Sequence, residues 1–340
     1  MMRLRKQYFT VKRGIFILFI MLCILLVIGI TSMNSGKMSL TPLEVFHVLV
    51  GEGTARQELI VFDFRLPRII LAILVGIGMG TSGCIMQSLL RNDMASPGTL
   101  GISSGSGLFV LVYIVLFSAK GAISAVAMPL LAFVGGMTAA ALIFLLSYRR
   151  GKDISPTGLI LTGVALSSGY GALTTLLTLK LDDYQMDFVQ YWNAGSLWGD
   201  DWSYLAVLAP WTLLLFLYTL YKSRILNVLH LGNQTATGLG LAVKPEFLGL
   251  SVAAVALSSG SVALGGNFFF VGMISPHMAK KLVGPNHKLL LPASALSGAI
   301  IVLLADTITR VIGLGADVPT GIVITVLSTP YFLYLLAKAN

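Results

Sequence analysis

The sequence predicts an all-α, polytopic membrane protein with about ten transmembrane helices. Two observations carry this prediction. Of the 340 residues, 56% are hydrophobic and only 11% are charged, a composition that ordinary soluble domains do not have. The apolar residues are also gathered into long runs, and a helix needs about 20 such residues to cross ~30 Å of hydrocarbon. Residues 1–340 are therefore predicted to form a single transmembrane domain.

Ten apolar runs account for most of the chain. The first follows basic residues, as the core of a secretory signal does, but it is long for a signal core and no A-x-A-like cleavage site follows it. The eighth is too short to cross the membrane alone, which predicts a partial or tilted helix. The predicted spans are 14–33, 67–89, 99–118, 122–148, 155–179, 203–221, 247–264, 268–279, 289–311 and 318–337.

The basic residues predict the orientation of these spans. With the N-terminus inside, 16 of the 23 Lys and Arg residues fall on the cytoplasmic side. Because cytoplasmic loops carry the excess of Lys and Arg, both termini are predicted to be cytoplasmic. The net charge of +9 then reflects topology and contact with the membrane surface, and no nucleic acid partner is expected. The 16 residues are Arg3, Arg5, Lys6, Lys12, Arg13, Arg91, Arg149, Arg150, Lys152, Lys222, Arg224, Lys244, Lys280, Lys281, Lys288 and Lys338.

The second span is bracketed by two unlike polar elements. Arg65 and Arg68 precede it, and the turn Arg91-Asn92-Asp93-Met94-Ala95-Ser96-Pro97 follows it. A non-helical turn at membrane depth is tolerated only where protein or a water-filled cavity covers it, so this turn should not face lipid. Its Asn and Asp residues could equally serve as a helix cap and a turn.

The segment Arg65–Gly101 resembles the permease subunits of the ABC importers for iron-siderophores, haem and vitamin B12, the FecCD family. The family pattern there is approximately R-x-P-R, then G-x-x-L-x-x-S-G-x-x-x-Q, then R-N-P-L-A-x-P-x-x-L-G. In the second half, Gly265–Ala299 is similar to the family's G-x-I-x-F-V-G-L-I-x-P-H-x-x-R-x-x-x-G-x-x-H-x-x-x-L-P-x-S-x-L-x-G-A. Leu303–Arg310 and Asp317–Thr325 resemble its A-D-x-x-x-R and E-L-P-x-G-x-x-T.

The chain departs from this pattern at a few positions. Asp93 and Met94 replace the usual Pro-Leu, Lys280 stands where Arg is usual, and Asp317 replaces Glu. The resemblance nevertheless covers most of the chain and implies a BtuC-like permease fold in the cell membrane of a bacterium. Among the family's branches, the chain most resembles ferric hydroxamate (ferrichrome) permeases.

The resemblance also implies partners and a substrate. Such a permease works in a pair with a second permease subunit, either the same chain or a paralogue, and the path lies between the two. An extracytoplasmic substrate-binding protein delivers an iron(III)-siderophore, and cytoplasmic ABC ATPase subunits drive import. The resemblance favours a hydroxamate siderophore over a catecholate or citrate complex, and these over haem or vitamin B12.

Three arginines are expected at the outer face. Arg65, Arg68 and Arg310 match family positions that pair with carboxylates of the binding protein, where a basic rim would speed association. The alternative is that each arginine only extends to the membrane interface from a helix end. Asp306 lies four residues before Arg310, so an i,i+4 pair within one helix is a second alternative for both residues.

Two further groups of residues are expected on the cytoplasmic side. Asn92 and Met94 match positions that narrow the cytoplasmic end of the path. The loop at about 222–245 matches the family's coupling helices, which rest in a groove on the ATPase, and its Leu residues recur at helical spacing. The alternative is an interfacial helix that lies on lipid headgroups. The coupling residues are Leu226, Leu229, Leu231, Gly232, Asn233, Ala236, Leu239 and Gly240.

Other functional classes fit the sequence poorly. Gly238-Leu239-Gly240 followed by Lys244 misses the spacing of a phosphate-binding loop, so ATP hydrolysis must come from another subunit. No enzyme activity or cofactor is expected, because no paired carboxylates, metal cluster or nucleophile constellation appears. No metal site is expected at His277, because this residue has no partner at metal-ligand spacing. An ion-coupled secondary transporter would need intramembrane carboxylates, and Asp306 alone qualifies.

Overall fold

Helices make up almost all of the chain, and no β-strand occurs in the part that the structure describes. The structure is a computed structural model. It describes residues 2–36, 40–117, 126–147, 156–198, 201–312 and 318–339. The predicted all-α fold class is confirmed.

Ten of the helices coincide with the ten predicted spans. Their ends differ from the predicted ends by a few residues in most cases, although α1 begins well before residue 14 and α12 and α13 extend past the predicted limits by several residues. These helices are α1 (Met2–Asn34), α4 (Leu66–Leu90), α5 (Ile102–Phe117), α6 (Ala127–Ser147), α7 (Pro156–Thr178), α9 (Trp202–Tyr221), α12 (Val243–Gly265), α13 (Phe269–Val283), α14 (His287–Ile312) and α15 (Thr320–Ala339).

Length and hydropathy qualify seven of the described helices to cross a membrane. The apolar parts of α5 and α15 are shorter, at Ile102–Leu116 and Thr320–Leu333. Helix α13 has 15 residues and carries two lysines in its last turn, in agreement with the short eighth span of the sequence. The chain is thus a multi-pass membrane protein, and the number of ten crossings stays a prediction.

Short helices lie between the long ones, and the hydrophobic runs do not predict them. Thr41 and Thr54 each begin one with a capping box, in which the Thr side chain and the third helical residue satisfy each other's backbone N–H groups. Asp182 does the same for a third. The short elements are α2 (Pro42–Val50), α3 (Ala55–Glu58), a π-helical segment (Leu59–Arg65), α8 (Asp183–Asn193), α10 (Ser223–His230) and α11 (Asn233–Gly238).

Helix α4 is the central element of the fold. Every residue from Gly78 to Leu90 is buried, because α12, α13 and α14 pack around it. A Cβ on Gly83 would overlap the carbonyl oxygen of Gly272 on α13, and one on Gly298 of α14 would overlap the carbonyl oxygen of Gly76. Small residues therefore let these backbones touch, as expected where transmembrane helices cross.

Large apolar side chains are exposed on the outer helices. Ile15 and Phe16 on α1, Leu161 on α7 and Leu214 on α9 are each more than half exposed. A monomeric soluble protein rarely leaves so much apolar surface uncovered, so lipid or partner subunits must cover these faces.

Candidate functional site

The candidate residues lie at the two ends of α4. Helix α14 packs along α4 in the opposite direction, so that its last turns lie beside Arg68 and its first residue lies beside Ser88. The predicted arginines are at the first end, and the predicted turn and the loop after α9 are at the other.

A buried carboxylate holds the first end together. Asp306 of α14 has no exposed surface, and its Oδ1 lies 3.0 Å from Nε of Arg68 on α4. Nη2 of Arg310 lies 3.0 Å from Oδ2 of the same carboxylate, one helical turn further along α14. The i,i+4 pair considered for the sequence is therefore formed, and it is shared with a second helix.

The end of α1 supplies further acceptors to the same arginines. Arg65, only 6% exposed, donates a hydrogen bond to the carbonyl oxygen of Met33. Arg310 donates to the hydroxyl of Ser32. The structure thus brings the three predicted arginines together with Asp306, and we call these four residues the arginine cluster. The side chains of Arg68 and Arg310 are 26% and 18% exposed.

The other end of α4 is closed by the predicted turn. Helix α4 stops because Arg91 adopts a left-handed conformation, with φ 51°, and its N–H bonds to the carbonyl of Gln87. Oδ1 of Asn92 then accepts the backbone N–H of Met94 at 2.9 Å. Asn92 is therefore a turn-forming residue, the alternative given with the sequence prediction.

An ion pair that the sequence did not suggest fixes this turn to α13. Nζ of Lys280 lies 2.8 Å from Oδ1 of Asp93. Both side chains are partly exposed, so the pair contributes at most about 1 kcal/mol to stability. The pair matters for position, because it holds the segment after α4 against the last helical turn of α13.

The turn faces an open cavity of about 780 Å³. Asn92, Asp93, Met94 and Lys280 line it together with His230 at the end of α10. Met94 is 41% exposed there. The polar turn thus has a cavity beside it, and its place against the path stays a prediction.

The loop after α9 forms the two short helices α10 and α11, with Gly232 between them at φ 109°. Part of the predicted coupling set faces the permease itself, since Leu226, Leu229 and Ala236 are between 0% and 3% exposed.

Three other members of the coupling set lie outside, whereas Gly232 is buried. Leu231 and Leu239 are 61% and 65% exposed, and Gly240 is exposed with nothing within 4 Å of a Cβ added to it. Asn233 is half-buried at the start of α11. We call Leu231, Leu239 and Gly240 the outer face of the loop.

The start of this loop is tied to α12. Nζ of Lys222 lies 2.9 Å from both carboxylate oxygens of Glu246, and this hydrogen bonding raises the pKa of Lys222 above its ordinary value. The lysine therefore stays charged at neutral pH. The contact fixes where α10 leaves α9.

Comparison with known proteins gives relatives over nearly the whole chain. The model of the FecCD transport family matches residues 24–338. The iron(3+)-hydroxamate import system permease protein FhuG of Bacillus subtilis (strain 168) is 42% identical over 321 residues, which cover 93% of this chain and 95% of FhuG. The iron-uptake system permease protein FeuC of the same organism is 38% identical over 324 residues, covering 93% and 96%.

A solved structure shares the fold. It is described as an inward-facing conformation of a metal-chelate type ABC transporter and superposes with a TM-score of 0.81 at 29% identity. The superposition covers 96% of this chain and 99% of the other.

Proposed function

This chain belongs to the FecCD transport family, and from this premise we propose that it is the permease subunit of an ABC importer that moves an iron(III)-hydroxamate siderophore into the cytoplasm. The observation that carries the proposal is the 42% identity to a hydroxamate permease over 93% of the chain. The turn beside a cavity and the exposed outer face of the loop are the features that a path and an ATPase contact require.

The proposed arrangement places residues 1–340 in one transmembrane domain of a bacterial cell membrane, with both termini in the cytoplasm. The distribution of Lys and Arg supports this orientation. It puts the turn and the loop at 222–245 on the cytoplasmic side and the arginine cluster outside.

The proposed partners follow from that arrangement. Cytoplasmic ABC ATPase subunits would bind the outer face of the loop, and an extracytoplasmic substrate-binding protein would bind near the arginine cluster. A second permease subunit, the same chain or a paralogue, would cover part of the exposed apolar surface of the outer helices. Hydrolysis of ATP is assigned to the ATPase and not to this chain.

An uptake measurement tests the proposal. Cells that lack the gene and cells that carry it are given radioactive iron as hydroxamate, catecholate and citrate complexes, and haem and vitamin B12 are given in parallel. Loss of hydroxamate uptake alone on deletion is the expected result. Loss of haem or vitamin B12 uptake instead would assign the alternative substrate, and unchanged uptake of every compound would reject the proposal.

A secondary transporter is disfavoured by the surroundings of Asp306. This carboxylate is shared between Arg68 and Arg310, so it does not offer the exchangeable charge that a coupling ion needs. Uptake that continues after depletion of ATP, but stops when the ion gradients are dissipated, would nevertheless favour that class.

The exposed part of the arginine cluster is proposed to attract the binding protein. Reversing Arg65 and Arg68 would disturb buried contacts, so Arg68→Gln is the cleaner change, because Arg310 still neutralises Asp306. We expect the affinity for the binding protein to fall about fivefold, the upper end for a partly exposed ion pair. Lys180→Gln, at an exposed end of α7, is the control. If Arg68→Gln and the control bind the substrate-binding protein with equal affinity, Arg68 does not take part in docking.

Met94 is proposed to close the cytoplasmic end of the path as a flexible side chain that can repack. In a chain with Cys23 and Cys84 replaced by Ser, Met94→Cys should cross-link between subunits without nucleotide and less with ATP bound. With a paralogous partner, the equivalent residue there is also changed. Leu214→Cys, 68% exposed on α9, is the control. If Met94→Cys is labelled from lipid like the control and never cross-links, the gate lies elsewhere.

A further inference from the structure

A buried histidine connects the loop, α4 and α14. His287 is the first residue of α14 and is only 1% exposed. Its two ring nitrogens have partners on two different elements, Asn227 on α10 and Ser88 on α4. The two partners are far from His287 in the sequence, so these contacts hold the loop against the transmembrane helices.

Asn227 is held in one orientation. Its Oδ1 accepts the backbone N–H of His287 at 3.0 Å, and its Nδ2 donates to Oδ1 of Asn286 at 3.2 Å. Because a backbone N–H can only donate, this oxygen is an acceptor, and Nδ1 of the imidazole, 2.7 Å away, must donate to it. The side-chain oxygen of Asn227 therefore accepts two hydrogen bonds from His287, one from its backbone and one from its ring.

The other nitrogen of the ring reaches the last turn of α4. In the neutral imidazole Nε2 is an acceptor, so the hydroxyl of Ser88 donates to it. The same hydroxyl lies 2.7 Å from the carbonyl oxygen of Cys84, one turn earlier in α4. It has a single proton for two acceptors, so the bond to the histidine can be made or released by rotation of one torsion.

The turn of the proposed gate borders the same space. Ser88 and His287 line a small cavity of about 10 Å³ together with Asp93 and Lys280, the ion pair that holds the turn. Ser88 lies three residues before Arg91, where the turn begins. A shift of Asn227 thus acts close to the residues that shape the turn.

We propose that Asn227, His287 and Ser88 form a linkage that transmits movement of the loop to the cytoplasmic end of α4 and to the turn that follows it. This inference rests on the proposed function, since it names the residues through which ATPase movement reaches the gate. His287 is a positioning residue in this scheme, and it contacts neither ATP nor substrate. The chain of packed and hydrogen-bonded groups is continuous from α10 to α4.

The test uses the complete transporter in liposomes with its ATPase, its second permease subunit and its binding protein. The unaltered complex is first shown to import the ferric siderophore, which tests the proposed function separately. The measured quantity is then the number of ATP molecules hydrolysed per siderophore imported. His287→Phe should raise this number about tenfold, within the usual range of coupling between sites, while the ATPase still co-purifies.

Two further variants separate coupling from folding. Asn227→Leu and Ser88→Ala each cut the linkage on one side of the ring and leave its packing nearly intact. Each should raise the ATP cost, and neither should add to the effect of His287→Phe, because residues of one linkage are not additive. His47→Phe, at the opposite end of the molecule, is the matched control.

The same measurements can overturn the inference. If Asn227→Leu and Ser88→Ala both keep the unaltered ATP cost per siderophore, the linkage does not couple the sites. If the effects of the variants add, the residues act separately. If His287→Phe lowers the melting temperature and ATPase binding while the other two variants are normal, its role is in folding alone.

Discussion

Replacing Asp306 with Asn should destabilise the permease by about 3–5 kcal/mol, the cost of leaving a buried charge without its partner. The carboxylate is fully buried between two arginines, so the substitution removes the negative charge that both guanidiniums contact. The expected result is a lower midpoint of thermal unfolding in detergent and less protein in the membrane. The unfolding midpoint is measured on purified protein, and the amount of permease is measured in isolated membranes.

A matched control and a rescue accompany this substitution. Asp187→Asn, on the exposed side of α8, should leave the midpoint unchanged. Changing Arg68, Asp306 and Arg310 together to Leu should recover most of the lost stability, since apolar residues of similar size often replace a buried ion cluster at little cost. A normal midpoint for Asp306→Asn alone would mean that the arginines find other acceptors, such as the end of α1.

The long helices could be predicted because each is marked by its own apolar run, independent of the rest of the chain. The short ones could not be found in this way. Helix α2 has nine residues and α8 is amphipathic, so neither reaches the length of a span. The signal that would have revealed them is the capping box, which Thr41 forms with Glu44 and Asp182 forms with Gln185.

The sites were predictable to the extent that they are local. The role of Asn92 in the turn rests on a hydrogen bond to Met94, two residues further along the chain. The pair of Asp306 and Arg310 lies within one helical turn. The bond from Arg68 to Asp306 joins residues 238 positions apart, and only the packing of α14 on α4 brings them together.

Two of the departures from the family pattern contact each other. Asp93 and Lys280 were noted as separate deviations, and the structure places them in one ion pair 2.8 Å apart. An acidic residue in the turn and a lysine on α13 therefore go together physically. This pairing could not be predicted from the sequence, because the two positions belong to different motifs.

The facing of each leucine in the loop follows from helical spacing together with the break at Gly232. At about 100° per residue, Leu226 and Leu229 share one face of a helix, whereas Leu231 and Leu239 do not lie on that face. Gly232, at φ 109°, breaks the helix and changes the direction of the chain. Leu226 and Leu229 consequently face the permease, whereas Leu231 and Leu239 face outward.

This division predicts which leucine carries the ATPase contact. Leu239→Asp should reduce siderophore uptake at least about 30-fold, because a charge placed in a packed apolar interface costs 2 kcal/mol or more, as hot-spot residues do. The side chain is 65% exposed, so the permease itself should keep its melting temperature and its amount in the membrane. Co-purification of the ATPase and siderophore-stimulated hydrolysis are the measurements.

Two matched variants decide whether the outer face is responsible. Leu226→Asp is the same change at a fully buried position of the same loop, and it should instead lower stability and expression. Gln234→Asp adds the same charge at an exposed polar position of α11 and should have little effect. Bulky residues at Ala236 are less informative than at the outer face, because that residue packs inward. If Leu239→Asp binds and stimulates the ATPase as the unaltered chain does, the loop lies on lipid headgroups, the alternative given with the sequence, and coupling must pass through another surface of the permease.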